Sequence, residues 1–312
     1  MAPTLTDPPA APPPPPKQRV SRERMFARRA VALVVLLAFV GLSVWIAVAA
    51  VGSVRDRVSP PPPEPVVLPP PKPLKIVFPE GFTRREMSQR VSAVKRIAAE
   101  KRKKATRIAA PAYLRLTARS RLPGQFAGDG KARNLEGFLF PATYEFLPKT
   151  TTKQLVNKQL TAFQRNWAKV NLAYARSRNL TRYDVLIIAS MVEKETVVPG
   201  ERPLVAAVIY NRLKAGMPLG IDATIRYGLD VPGTESLRQS HLSDLTPYNT
   251  RIHAGLPPTP IANPGLASMQ AAAHPRRVGY LYFARKPDKK HHFFTANEDA
   301  FLQYLAENGY GG

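Results

Sequence analysis

The sequence predicts an α+β domain carried on a single N-terminal membrane helix. Three observations predict it. Ala30 to Val54 is an uncharged apolar run; helix-period stretches opened by capping residues recur from Thr83 onward; and short strand-like stretches (LKIVF, YLYFAR, HHFFTA) stand near the two ends of that region. Proline marks the boundaries: 33 of the 312 residues are proline, clustered toward the N-terminus, so the folded part is shorter than the chain.

Residues 1–16 (MAPTLTDPPAAPPPPP) form a Pro/Ala tail with no apolar surface to bury. The run 30–54 is long enough to span bilayer hydrocarbon with some tilt. The competing reading, a signal peptide, has a shorter apolar core of roughly 7–15 residues and no proline-rich leader. Lys17, Arg19, Arg22, Arg24, Arg28 and Arg29 precede the run, whereas only Arg55 and Arg57, offset by Asp56, follow it closely. That asymmetry places the N-terminus in the cytoplasm and the bulk of the chain outside. The expected order is therefore a cytoplasmic tail (1–29), the span (30–54), a proline-rich linker (55–73) and an extracytoplasmic domain (74–312). Within the linker, SPPPPEPVVLPPPKP is a semi-rigid polyproline spacer.

The domain opens with a strand at LKIVF and a turn at Pro79-Glu80-Gly81. Thr83 and Glu86 make a capping box for a helix through MSQRVSAVKRIAAEKRKK. Its basic part, Lys95 to Arg107, reads either as a solvated helix face or as a contact for anionic lipid or wall polymer. AYLRLTARSRL follows as a helix, LEGFLFPATYEF as strand or loop, and TTKQLVNKQLTAFQRNWAKV as an amphipathic helix capped by Thr150 or Thr151. Thr181 and Asp184 cap the apolar helix VLIIASMVEKET, and PLVAAVIYNRLKAG closes at Gly216. Strands at YLYFAR and HHFFTA and a helix at NEDAFLQYLAENG complete the series.

Composition narrows the function classes. The chain has no cysteine, which rules out disulfides, thiolate metal sites and a cysteine nucleophile. The five histidines show no metal-ligand spacing with a carboxylate, and no phosphate loop or G-x-S-x-G elbow occurs. Metal, nucleotide and serine-hydrolase readings therefore drop out. A net charge of +24 favours polyanionic surroundings, and the predicted topology points to wall polymer or lipid rather than nucleic acid.

The helix ending VLIIASMVEKET carries two carboxylates, Glu193 and Glu195. At about 100° per residue they point roughly 160° apart. Glu195 stacks over Ile188, Met191 and Val192, and Glu193 over Leu186, Ala189 and Ser190. Glu195 is thus the carboxyl on the more apolar side, where desolvation raises its pKa toward that of a general acid. The plainer reading of either glutamate is a helix-end carboxylate paired with Lys194 or Arg202. A second acid for paired-carboxylate hydrolysis has three candidates, Glu136, Asp222 and Glu145, and no spacing selects among them. Asp222-Ala223-Thr224, Tyr227, Tyr248-Asn249-Thr250 and GLPPTPIANPG offer hydroxyl, amide and aromatic groups on what reads as irregular backbone, suited to binding sugars or simply to making turns.

LEGFLFPATYEF, IIASMVEKET, VAAVIYNRLKAGMPLGIDATIRYGL and YNTRIHAGLPPTPIANPGLASMQAAAHP, followed by YLYFAR and HHFFTAN, together closely resemble the endolytic murein transglycosylases of the MltG (YceG-like) family over residues 74–310. The resemblance implies a YceG-like catalytic domain with a lysozyme-like helical active-site region, and its catalytic glutamate falls on Glu195, before Thr196. It implies cleavage of the bond between N-acetylmuramic acid and N-acetylglucosamine to a 1,6-anhydromuramoyl end, without metal or cofactor. Glu136, Asp222, Thr224, Tyr248, Asn249 and Thr250 become the expected cleft residues. Peptidoglycan strands are the implied substrate, strand termination the implied role and penicillin-binding synthases the implied partners. The chain departs from the family pattern at Ala142, where the family has Asp, and at Ala223, where it has Pro. The LysM-like module common in the family is replaced here by the proline spacer.

Overall fold

A computed structural model describes residues 22–58, 72–129 and 132–309. The Pro/Ala tail and the proline spacer up to residue 71 lie outside the described residues. The chain divides into two compact units, Met1–Pro69 and Pro70–Gly312. In the first, helix α1 covers Arg22–Val58. It overruns the apolar run at both ends because Arg, Glu and Met are good helix formers that continue the backbone ladder. Its stretch Met25–Ser53 has mean hydropathy 2.8 and no buried side chain, long and apolar enough to cross a membrane.

The second unit holds the core, which begins at Leu74. Strand β1 (Leu74–Val77) turns Leu74 and Ile76 inward and Lys75 and Val77 outward, the period-two pattern of a half-buried strand. Between β1 and its eventual partner come α2 (Arg84–Arg102), α3 (Ala110–Ala118) and the paired two-residue strands β2 (Ser120–Arg121) and β3 (Ala132–Arg133). Strand β4 (Thr143–Phe146) then pairs antiparallel with β1, Leu74 opposite Phe146 and Val77 opposite Thr143. The expected capping box at α2 forms: Thr83 N–H donates to the Glu86 carboxylate at 2.7 Å, and Glu86 N–H to the Thr83 hydroxyl at 3.2 Å. Helix α3 stops at Ala118, short of the expected Leu122, because the chain there turns extended into β2.

Helix α4 (Thr152–Trp167) takes Thr151 as its cap, and α5 (Ala173–Arg176) is a single turn. Phe126, Phe138, Phe163 and Trp167 interlock with centroids 5.0–5.7 Å apart, pinning α4 to the loop before β4. Helix α6 (Arg182–Glu195) is the central element, with every residue from Val185 to Val192 buried. It is apolar all round because α7 (Arg202–Ala215), α8 (Asp222–Leu229) and α10 (Leu266–Ala273) all pack on it. Each fully buried aliphatic side chain along it contributes about 1.5–3 kcal/mol.

Helix α9 (Gln239–Leu242) lies in the loop after α8, and the hairpin of β5 (Tyr282–Arg285) and β6 (His292–Thr295) precedes α11 (Glu298–Glu307). That hairpin is latched to the start of α7. The Glu201 carboxylate accepts hydrogen bonds from His292 N–H at 3.0 Å and His292 Nδ1 at 2.7 Å, with the two side chains 12% and 2% exposed.

Candidate active site

Glu195 is the last residue of α6. Thr196 ends the helix in an extended conformation, and its hydroxyl donates back to Val192 O at 2.6 Å. The glutamate therefore leaves a rigid, buried rod at a fixed angle. Burial pushes its carboxyl up to about 7. The Asp222 charge pushes the same way, while Arg285, the Ala223 N–H and Lys194 pull it down.

Glu193 is buried too, on the other side of α6. Its carboxylate accepts from Gly265 N–H at 2.9 Å and faces the Arg202 guanidinium at 3.6 Å; the Glu193 side chain is 6% exposed and that of Arg202 12%. Arg202 Nε in turn donates to Ser268 Oγ. Glu193 thus joins the end of α6 to the starts of α7 and α10. Beside it, Glu80 has its carboxyl raised by burial first and then by the Glu193 charge, with Arg202 opposing. Phase alone puts the two helix-end glutamates on opposite sides of α6 but does not show that the Glu193 carboxylate is held inside the protein by Gly265 and Arg202.

A second buried carboxylate, Glu136, sits at the junction of three segments. It accepts from Arg84 N–H at 3.0 and 3.1 Å, from Asn263 Nδ2 at 2.7 Å and from the Tyr227 hydroxyl at 3.2 Å. Burial pushes its carboxyl up to about 7 against the lowering effect of Arg84 and Tyr227. Asn263, fully buried, also donates to Phe82 O and accepts from Leu139 N–H, both at 2.9 Å. Gly137, next to Glu136, has φ +88°, and a Cβ there would stand 2.7 Å from Pro260 Cγ. Only glycine lets the two loops close.

Asp222, Ala223, Thr224 and Tyr227 do not stand on irregular backbone; they form α8. The Ala223 N–H, free of an intrahelical partner in the first turn of α8, meets Glu195, and the Tyr227 hydroxyl one turn on meets Glu136. Asp222 bonds Arg251 at 2.7 and 2.9 Å. Tyr248 rests edge-on against Tyr227 with centroids 5.1 Å apart, and its hydroxyl bonds Thr259 at 2.9 Å. Thr224, Asn249 and Thr250 turn their polar groups to the protein itself. The Thr224 and Thr250 hydroxyls bond each other at 3.0 Å, Thr250 Oγ1 accepts from Ile221 N–H at 3.0 Å, and Asn249 Nδ2 donates to Leu242 O and Asp244 O. At 0%, 0% and 2% exposure, Thr224, Asn249 and Thr250 position α8 and the loop before α10 rather than reach a ligand. Glu145 lies on the outer face of β4, paired with Lys75 at 3.4 Å and away from this cluster.

Sequence reasoning reached Asn263 only as part of GLPPTPIANPG and missed Arg285. A lone Asn between Ile261-Ala262 and Pro264 is the signal for the first: an amide in an apolar loop is buried only when its bonds are met. Nothing local marks the second. Among the described residues, no cluster of three or more His, Asp and Glu could hold a metal ion. A depression of about 610 Å³ lined by Tyr174, Arg178, Tyr210 and Arg276 contains no carboxylate.

The YceG-like family model matches residues 66–307, and the chain belongs to that family. It is 36% identical over 152 residues to an endolytic murein transglycosylase of Bacillus subtilis, covering 49% of this chain and 42% of that one. With the endolytic murein transglycosylase of Streptococcus pneumoniae it shares 34% identity over 185 residues, covering 57% of this chain and 33% of the other. The chain thus spans less than half the length of these curated relatives. A crystal structure of a YceG-like protein from Listeria monocytogenes superposes with TM-score 0.58 at 26% identity, covering 75% of this chain and 76% of that one.

Proposed function

We propose that this chain is a membrane-anchored endolytic lytic transglycosylase that cuts the bond between N-acetylmuramic acid and N-acetylglucosamine in peptidoglycan, with Glu195 as acid and then base. The observation that carries the reading is the Glu195 carboxyl itself, fixed at the end of a buried helix and desolvated so that it holds its proton to about pH 7. In the first step the carboxyl gives its proton to the glycosidic oxygen as the bond to the muramoyl C1 breaks. In the second, the resulting carboxylate removes the proton of the muramoyl O6 hydroxyl, and O6 bonds to C1. One proton passes from O6 to the leaving oxygen, water is not consumed, and the product is a 1,6-anhydromuramoyl end. Tyr227 and Tyr248 supply aromatic edges beside the carboxylates, and Glu136 holds that wall in place.

The anchor is α1, oriented by the basic flank before residue 30 and the sparse one after residue 54, which puts residues 74–312 outside the cytoplasm. An endolytic cut close to the membrane would terminate nascent strands. The test incubates purified peptidoglycan with the full chain in detergent micelles, wild type against Glu195→Gln, and reads the products by mass spectrometry. Anhydromuramoyl ends from the wild type alone are the expected result. Reducing muramic acid ends would instead make the protein a hydrolase, and a folded wild type that cleaves nothing would make it a glycan-binding scaffold.

A further inference from the structure

A second concave surface lies away from the buried carboxylates. The depression of about 610 Å³ is walled by Tyr174 of α5 with the nearby Arg178, by Tyr210 of α7, and by Arg276 and Arg277 in the segment after α10. The three arginines are exposed, no carboxylate shares the wall with them, and they form no ion pair among the described residues. Asp184, whose charge reaches Tyr210, is engaged at the start of its own helix: it accepts from the Thr181 N–H at 2.8 Å and the Thr181 hydroxyl at 2.7 Å.

The walls are held in place from behind. The Tyr210 hydroxyl donates to Ala272 O at 2.8 Å, and Asn211 Nδ2 donates to Val278 O at 2.9 Å and Tyr280 O at 2.8 Å. Arg276 N–H donates to Pro203 O at 2.9 Å, so the segment after α10 is tied to α7 at two places. The Tyr174 and Tyr210 rings stand 5.7 Å apart, and the Arg178 guanidinium lies 5.2 Å from the centre of the Tyr174 ring. A guanidinium resting on a ring keeps its N–H edge for a planar oxyanion, which it meets with two parallel hydrogen bonds.

The position of the depression selects the ligand. Asp184 stands in the first turn of α6 and Glu195 at its end, and the eleven residues between them rise about 16 Å. The depression thus lies toward the far end of α6 from the catalytic carboxyl. A polymer cut internally runs past Glu195 on both sides and covers that distance. The N-acetylated sugars of peptidoglycan are neutral, and its carboxylates are carried by the peptides on the muramoyl units. A single phosphate would leave most of a hollow this large empty, whereas a peptide of several residues fills it and lays its alanyl methyl groups on the two tyrosine rings.

We propose that this depression binds the free carboxylates of a peptide stem on the glycan strand being cut, at a muramoyl unit away from the scissile bond. The proposal rests on peptidoglycan as the substrate and is independent of the chemistry at Glu195.

The test titrates the full chain in detergent micelles with the N-acetylmuramoyl tetrapeptide L-Ala-γ-D-Glu-L-Lys-D-Ala, followed by ligand-observed NMR. The probe has no glycosidic bond to cut, and its counterpart with both carboxylates amidated is the control. Each exposed guanidinium–carboxylate pair is worth roughly 1.4- to fivefold, so Arg178→Gln/Arg276→Gln/Arg277→Gln weakens binding of the acidic probe by roughly three- to a hundredfold. The amidated probe binds the wild type weakly and the variant no differently. Equal affinity of the wild type for the two probes, or an acidic probe that binds the variant as well as the wild type, overturns the proposal. So does a response to inorganic phosphate that the substitutions abolish, with none to the peptide. Cleavage separates this proposal from the role of Glu195. The variant raises KM severalfold on intact peptidoglycan and matches the wild type on glycan stripped of its peptides. A wild type that binds the acidic probe but cleaves neither polymer would refute the mechanism at Glu195 and leave the assignment of the depression standing.

Discussion

Replacing Asp222 by Asn and, separately, Arg285 by Gln is expected to move the alkaline limb of the cleavage rate in opposite directions. In the proposed mechanism Glu195 acts first as an acid, so the rate should follow its protonated fraction and fall about tenfold per pH unit above its pKa, which burial places at about 7. The Asp222 charge raises that pKa and the Arg285 charge lowers it. Removing Asp222 thus shifts the limb to lower pH, and the Arg251 guanidinium left behind acts in the same sense. Removing Arg285 shifts it higher. Asp222 is 47% exposed and Arg285 is exposed as well, so solvent screening limits each effect to the range of surface pairs. At about 0.2–1 kcal/mol per pair and 1.36 kcal/mol per pKa unit, each limb moves by roughly 0.2–0.7 of a pH unit. At pH values about one unit above the limb, the Asp222 variant is then up to severalfold slower than wild type and the Arg285 variant up to severalfold faster. Initial rates of anhydromuramoyl release at low substrate across the neutral range report the limb, and carbon NMR of labelled glutamate reports the ionisation directly. Limbs that move the same way in both variants, or a wild-type limb at the ordinary glutamate value of 4.5, would refute the reasoning.

Glu193→Gln should cost stability of about 1–3 kcal/mol, because the Arg202 guanidinium loses its facing carboxylate and keeps only Glu80 nearby; chemical denaturation against Glu195→Gln, which leaves the Glu193–Arg202 pair intact, gives the contrast. Gly137→Ala combines a left-handed backbone with overlap on Pro260 and is expected to destabilise by about 2–4 kcal/mol; a change below about 0.5 kcal/mol would mean that the two loops are not packed as described. Glu201→Ala strips His292 of both acceptors inside the protein, at a cost of about 2–4 kcal/mol, and hydrogen exchange should show the β5–β6 hairpin opening first.

The local features were legible in the sequence and the long-range ones were not. Thr83 with Glu86 and Thr181 with Asp184 cap their helices as expected, because a capping box is complete within four residues. The apolar setting of Glu195 follows from helix phase, and burial is the first cause of its raised pKa. Glu193 finds Gly265, 72 residues away, and no local pattern announces that bond. Thr224, Asn249 and Thr250 illustrate the converse: their polar types suggest a ligand, yet whether a hydroxyl or amide is satisfied internally depends on backbone brought from elsewhere. Helix α8 escaped notice because eight residues give little periodicity, and its start is fixed by the Thr224–Thr250 contact across 26 positions.

The bonds of Asn263 span 124, 127 and 181 residues, to Leu139, Glu136 and Phe82. Contacts of such separation form late, since the loops they close must be ordered first. A chain emerging N-terminus first would carry Glu195 well before residue 263 arrives to fasten the loops around Glu136. The order of synthesis itself thus delays the fastening of the loops around Glu136 until residue 263 has been delivered, long after the helix that carries Glu195 is complete.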